Sequence, residues 1–145
     1  MISVLVIAHA PLATALVHCT RHIFGELPRQ FAALDVVPDE DPDSALEAAR
    51  YLLERTSDGT GVVVFTDLYG ATPARIATRL ARLHQVAVIS GVSLPMLVKA
   101  LGRRRGVDLP ELVDLLVDAG RGAVIELGLE QYSQQGEDGS GRDDA

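Results

Sequence analysis

Tryptophan is absent from this 145-residue chain, aromatic residues make up only 4% of it, and there is a single cysteine, Cys19. So few aromatics leave little from which to build a platform for stacking bases or sugars. One cysteine excludes an intramolecular disulfide and implies no oxidising compartment. Positive charge is also scarce: 13 Lys and Arg against 20 Asp and Glu give a net charge of −7. That balance argues against nucleic acid or an anionic membrane as partner. Part of the negative charge lies at the C-terminus, where Glu137, Asp138, Asp143 and Asp144 are opposed only by Arg142. No segment approaches the roughly 20 consecutive apolar residues of a membrane span. The opening apolar run has no basic residue before it, so it reads as a strand rather than a secretory signal. A cytoplasmic protein is expected.

What the chain does have is 48% hydrophobic residues, mostly Val, Leu, Ala and Ile, enough for one domain with one core. Four short apolar runs, Ile2–Ala8, Phe31–Val37, Gly61–Thr66 and Val86–Ser90, alternate with helix-like segments. At least three lack polar alternation, the pattern of strands buried on both faces. Pro11 opens a first helix with a stripe of Leu12, Leu16, Cys19 and Ile23, stopped by Gly25. Asp41-Pro42 and Thr72-Pro73 pair a capping residue with proline at helix starts. Leu46, Ala49 and Leu53 follow the first; Ile76, Leu80 and Leu83 follow the second. A fourth helix is expected from about Pro95 to Arg104. A fifth opens on a capping box, Asp108 to Glu111, and ends near Gly120. Ala123–Leu127 reads as a last short strand. The domain is expected to span 1–130, with 131–145 an acidic tail whose composition cannot pack a core.

Strand–helix alternation implies an α/β fold: an open, doubly wound sheet of four parallel strands in the order 2-1-3-4, covered by helices on both faces. After strand one the chain goes to one side of the sheet and after strand two it returns to the other, which opens a crevice at the carboxyl ends of strands one and three. His9 ends strand one and Asp67 follows strand three, so the topology brings them together. A carboxylate holds a neighbouring imidazole in one tautomer and leaves its other nitrogen free as a nucleophile. The loop Leu68-Tyr-Gly-Ala-Thr-Pro73 opens into a helix, whose unpaired amides and positive dipole end suit a phosphoryl group. Gly70 and Ala71 are small enough for close backbone approach, and Thr72 offers a hydroxyl as well as a cap. Gly91-Val-Ser-Leu-Pro-Met96 is a second small-residue loop on the same rim.

Other features weigh less. His18 and His22, four apart on the first helix, have the spacing of a metal clip, but no further ligand is evident. Cys19 reads as core. Arg103-Arg-Arg105 reads as charge complementing a helix C-terminus, and Arg75 as a residue near the crevice suited to partner docking. Neither a nucleotide-binding glycine loop, a Ser elbow nor the acidic pair of a receiver domain is present.

Three motifs, Val4-Leu-Val-Ile-Ala-His9, Val63-Val-Phe-Thr-Asp-Leu-Tyr-Gly-Ala-Thr-Pro73 and Ile89-Ser-Gly-Val-Ser-Leu-Pro-Met-Leu97, resemble the IIA component of the mannose-type bacterial phosphotransferase system. The resemblance covers about residues 1–130. It implies a phosphorylated His9, Asp67 as its partner and the Thr72 hydroxyl near the phosphoryl group. HPr would be the donor and a IIB component the acceptor, with no metal or organic cofactor. It also implies a homodimer exchanging the strand at Ala123–Leu127. Ala10 stands where relatives commonly carry Gly or Ser, Ala71 where a second Gly is common, and Thr72 where Ser is. No IIB domain follows, which implies an acceptor on another chain. Two alternatives share the His9 chemistry: a regulatory module whose phosphorylation state a partner reads, and the phosphocarrier of a dihydroxyacetone kinase.

Overall fold

The structure, a computed structural model, describes residues 1–82 and 85–128. Four strands, β1 (Ser3–His9), β2 (Phe31–Val36), β3 (Val62–Thr66) and β4 (Val86–Ile89), alternate with α1 (Leu12–Phe24), α2 (Pro42–Thr56), α3 (Thr72–Leu80) and α4 (Leu94–Arg103); α5 (Leu109–Gly122) follows. The strands form one parallel sheet in the order β2-β1-β3-β4. This is the order the alternation predicts.

The sheet divides the core in two. On one face Val4, Val6, Ala8, Val63, Phe65 and Ile89 meet α1, α4 and α5 through Ala13, Met96, Leu97, Leu112 and Leu116. On the other, Leu5, Ile7, Val62 and Val64 meet α2 and α3 through Leu46, Ala49, Leu53, Ile76 and Leu80. The alternation of side chains along β1 and β3 serves both layers, so every residue from Ser3 to Ala8 and from Val62 to Thr66 is buried. Edge strands β2 and β4 are half-buried over most of their length, because each has a neighbour on one side only.

Two helix starts behave as their sequences suggest. Asp41 Oδ2 accepts hydrogen bonds from the Ser44 amide and hydroxyl, both at 3.1 Å, and Asp108 Oδ1 accepts from the Glu111 amide at 2.9 Å. Helix α3 differs. Ala71 is its N-cap and Thr72 its first helical residue, so the threonine makes no capping bond. Helix α1 has Pro11 at its N-cap and takes its cap from another strand: Asp35 on β2 accepts from the Thr14 amide at 3.1 Å and from the Thr14 hydroxyl. Gly120 is what lets α5 lie close to α4, since a Cβ there would fall 2.7 Å from Met96 Sδ.

Two expectations need correcting. The buried residues of α1 are Ala13 and Thr20, with Leu16 and Val17 half-buried, whereas Leu12, Cys19 and Ile23 are exposed. Apolar residues surround most of this helix, so spacing alone does not choose the face; packing does. Arg104 is not a surface charge at the end of α4. It is buried, and its Nη1 donates to the Ile2 carbonyl at 3.0 Å, tying the helix end to the entry of β1. Burial, and secondarily Arg105, depresses its pKa, partly opposed by Asp58. Residues 123–128 form no strand within the single chain, which leaves the expected exchange between two copies untouched, and Val124, Ile125 and Leu127 are exposed. Leu83 and the tail at 131–145 lie outside the described residues.

Candidate functional site

Strand β1 delivers His9 to the carboxyl edge of the sheet as its last residue, and Asp67 follows the last residue of β3 next to it. Oδ2 of Asp67 lies 2.7 Å from His9 Nδ1 and also accepts the His9 amide at 3.0 Å. Its Oδ1 accepts the Leu68 amide at 2.8 Å. Three donors thus hold one carboxylate, fixing its plane and, through it, the imidazole. The His9 side chain is 51% exposed and that of Asp67 only 14%. The acid is a half-buried anchor and the ring is the more exposed of the two.

Burial pushes the Asp67 carboxyl towards protonation, but the hydrogen bonds from the His9 amide, the His9 ring and the Leu68 amide outweigh it. The net effect is a pKa below the ordinary carboxylate value. With Asp67 ionised, Nδ1 carries the shared proton and donates it. In that tautomer of the neutral ring the lone pair is on Nε2.

The loop from Asp67 to α3 lies on the same rim. Gly70 has φ +81°, a left-handed conformation that favours glycine, and this turns the chain into Ala71 and Thr72. The second loop is laced to the first: Gly91 N donates to the Asp67 carbonyl at 3.2 Å and Val92 N to the Thr66 carbonyl at 3.0 Å. Arg75, one turn into α3, reaches back to this loop. Its Nη2 donates to Thr72 Oγ1 at 3.2 Å and its Nη1 to the Gly70 carbonyl at 3.3 Å. Because the Thr72 oxygen accepts from Arg75, its own proton remains available to another acceptor.

The structure therefore brings His9 and Asp67 into direct contact and places Gly70, Ala71 and Thr72 on the adjoining loop and helix start. Sequence reasoning found these five residues. It missed the loop-holding contacts of Arg75 and the role of Asp35, because a cap supplied across 21 residues leaves no local signature. His18, Cys19 and His22 lie elsewhere, exposed on α1. Among the described residues no group of three His, Cys, Asp or Glu is placed to hold a metal ion. No helix among them is long and apolar enough to cross a membrane.

An open parallel sheet with an imidazole–carboxylate pair at its switch point, beside the N-terminus of a helix, defines an α/β protein with one half-exposed histidine at the place where such sheets bind ligands. The family model described as the PTS system fructose IIA component matches residues 3–117, and the chain belongs to this mannose-type IIA family of the phosphotransferase system. It is 30% identical over 128 residues to the mannose-specific EIIAB component of Escherichia coli K12, covering 87% of this chain and 39% of that protein. The chain thus spans about two fifths of the length of that relative. The fold is shared with the phosphotransferase system component EIIA of Streptococcus agalactiae, at a TM-score of 0.79 and 21% identity over 87% of this chain and 97% of that one. It is shared equally with the mannose/sorbose-specific IIA subunit of Enterococcus faecalis, at a TM-score of 0.78 and 22% identity over 88% and 95%.

Proposed function

We propose that this chain is a phosphocarrier in which His9 accepts a phosphoryl group from phospho-HPr and passes it to a IIB protein. The observation that carries this reading is the 2.7 Å contact between His9 Nδ1 and Asp67, which occupies one ring nitrogen and leaves Nε2, on a half-exposed side chain, as the nucleophile. In the transfer, the Nε2 lone pair attacks phosphorus in line, a new P–N bond forms, and the donor's P–N bond breaks with its electron pair returning to the donor imidazole. The His9 ring, now substituted at one nitrogen and protonated at the other, becomes cationic beside the Asp67 anion. The Thr72 hydroxyl, and amides where Gly70 and Ala71 lead into α3, would hydrogen-bond the phosphoryl oxygens. Such a reaction asks for positioning and charge stabilisation and needs no metal or organic cofactor.

Membership of the family supports HPr and IIB as partners, and the exposure of the histidine supports access by another protein. Exposed Val124, Ile125 and Leu127, together with a groove beside β4 lined by Ile89, Val113, Val117 and Val124, support a homodimer in which Ala123–Leu127 adds a strand to a second copy. Labelling tests the central claim. With enzyme I, HPr and labelled phosphoenolpyruvate, the wild type should take up acid-labile phosphate, and His9→Ala should take up none. Undiminished labelling of His9→Ala would sink the proposal.

A further inference from the structure

Beside the phosphorylation loop runs a groove of about 570 Å³ that neither His9 nor Asp67 lines. Its floor is the α3 side of the sheet's carboxyl edge, Thr66, Val88 and Ser90, and its wall is one flank of α3. Tyr69, 88% exposed, forms the lip. Along the wall stand Arg75 and Arg79, with Arg82 in the turn past the helix, and among the described residues no acidic side chain lines the groove. Among the described residues the one carboxylate within ion-pair reach of any of the three is Asp43, at 4.0 Å from Arg79. On a chain of net charge −7 this is a concentration of one sign where the overall balance would put the other.

Spacing narrows what would fit. Residues 75 and 79 lie one turn apart on one face of α3, about 6 Å along its axis, and Arg82 follows in the turn beyond its end and lengthens the row. A single small anion meets one of them; meeting two or three takes a molecule with anionic groups at both ends. Guanidinium forks match phosphate bidentately and add charge to the hydrogen bonds. Between the ends, Ala74 and Val88 give an apolar floor, and the Tyr69 ring is free to pack on a sugar or base. A second observation points to the same place. Thr66 is fully buried at the bottom, and its hydroxyl has no hydrogen-bond partner among the described residues. Buried polar groups are seldom left so, and a polar atom seated on the floor would satisfy it. The volume is that of a metabolite site.

We propose that this groove binds a small organic phosphate bearing anionic groups at both ends, a sugar bisphosphate or a nucleoside diphosphate, held by Arg75, Arg79 and Arg82. Arg75 joins this groove to the phosphorylation loop, because the same guanidinium holds Thr72 and Gly70. A ligand that draws Arg75 away would change how the loop presents the Thr72 hydroxyl, and so link occupancy to phosphoryl transfer.

The test is titration of the full chain with fructose 1,6-bisphosphate, ADP and inorganic phosphate, followed by calorimetry and by amide chemical shifts. At least one of the two larger ligands should bind with one-to-one stoichiometry and shift the amides of Thr66, Tyr69 and Ser90. Inorganic phosphate should bind at least tenfold more weakly, and preference between the other two tells sugar from nucleotide. Arg79→Ala and Arg82→Ala should each weaken binding about tenfold, the effect of losing one charge-assisted hydrogen bond. His9→Ala should bind as the wild type does, which separates this proposal from the phosphocarrier reading. No binding at millimolar ligand, or binding indifferent to both arginine substitutions, would overturn it. So would loss of transfer from phospho-HPr in Arg79→Glu/Arg82→Glu without small-molecule binding by the wild type, which would make α3 a protein-docking face.

Discussion

Oδ2 of Asp67 accepts both the backbone amide and the ring Nδ1 of His9, at 3.0 and 2.7 Å, across 58 residues of chain. One oxygen therefore sets both where the histidine's main chain lies and which way its imidazole turns.

Asp67→Asn separates charge from shape. The amide can still occupy the space and meet one donor, but it no longer offsets the positive ring formed on phosphorylation. Label transfer to His9 should slow by about 10²–10³-fold, the scale of losing one preorganised electrostatic partner. Circular dichroism should show an unchanged fold. Transfer at the wild-type rate would rule out a role for the carboxylate's charge.

The depressed pKa of Asp67 gives a pH dependence of definite sign. A carboxyl whose folded pKa lies below its unfolded value, about 3.9, adds stability above that value and loses it as pH falls through the folded one. Urea unfolding of wild type and Asp67→Asn should therefore differ by a constant amount near neutrality. The difference should shrink below about pH 4. A gap that widens on acidification would contradict the assignment.

Thr72 is expected to act through its hydroxyl rather than as a helix cap, since Ala71 holds the cap position. Thr72→Ser should retain most of the transfer rate. Thr72→Val, nearly the same in shape, should lower it roughly tenfold or more for the loss of one hydrogen bond to charge. Thermal unfolding should show little change for either, and a large drop in stability for Thr72→Val would point to a structural role instead.

Arg104→Met keeps much of the buried stem but removes the donor to the Ile2 carbonyl. Leaving that carbonyl unpaired should cost about 1–3 kcal/mol, read by chemical denaturation. Arg103→Met and Arg105→Met, at exposed neighbours, should change stability by less than about 0.5 kcal/mol. Equal effects at all three positions would return the run to a simple matter of charge.

Much of this protein is written locally. The unbroken apolar runs at β1 and β3 identify strands covered on both faces, because only there must successive side chains on opposite sides both avoid water. Asp41-Pro42 and Asp108 announce helix starts because the cap and the amide it receives lie three residues apart. The face of α1 is different. Its apolar residues surround the helix, and the sheet and α4 select Ala13 and Thr20 over Leu12, Cys19 and Ile23. Nor does any local pattern tell that Arg104 is buried while Arg103 and Arg105 are not; its partner, Ile2, lies just before β1, 102 residues earlier.

By itself the sequence determined the strand–helix alternation, hence the parallel sheet and its order, and so the meeting of His9 and Asp67 at the switch point. It could do so because backbone pairing and side-chain period are short-range rules that topology extends. Only the tertiary structure decided how the pair is held, with one oxygen on two donors, and that Arg75 grips the loop while Thr66, Tyr69 and three arginines enclose a groove beside it. Those arrangements depend on distances between elements, which close packing sets and no spacing along the chain encodes.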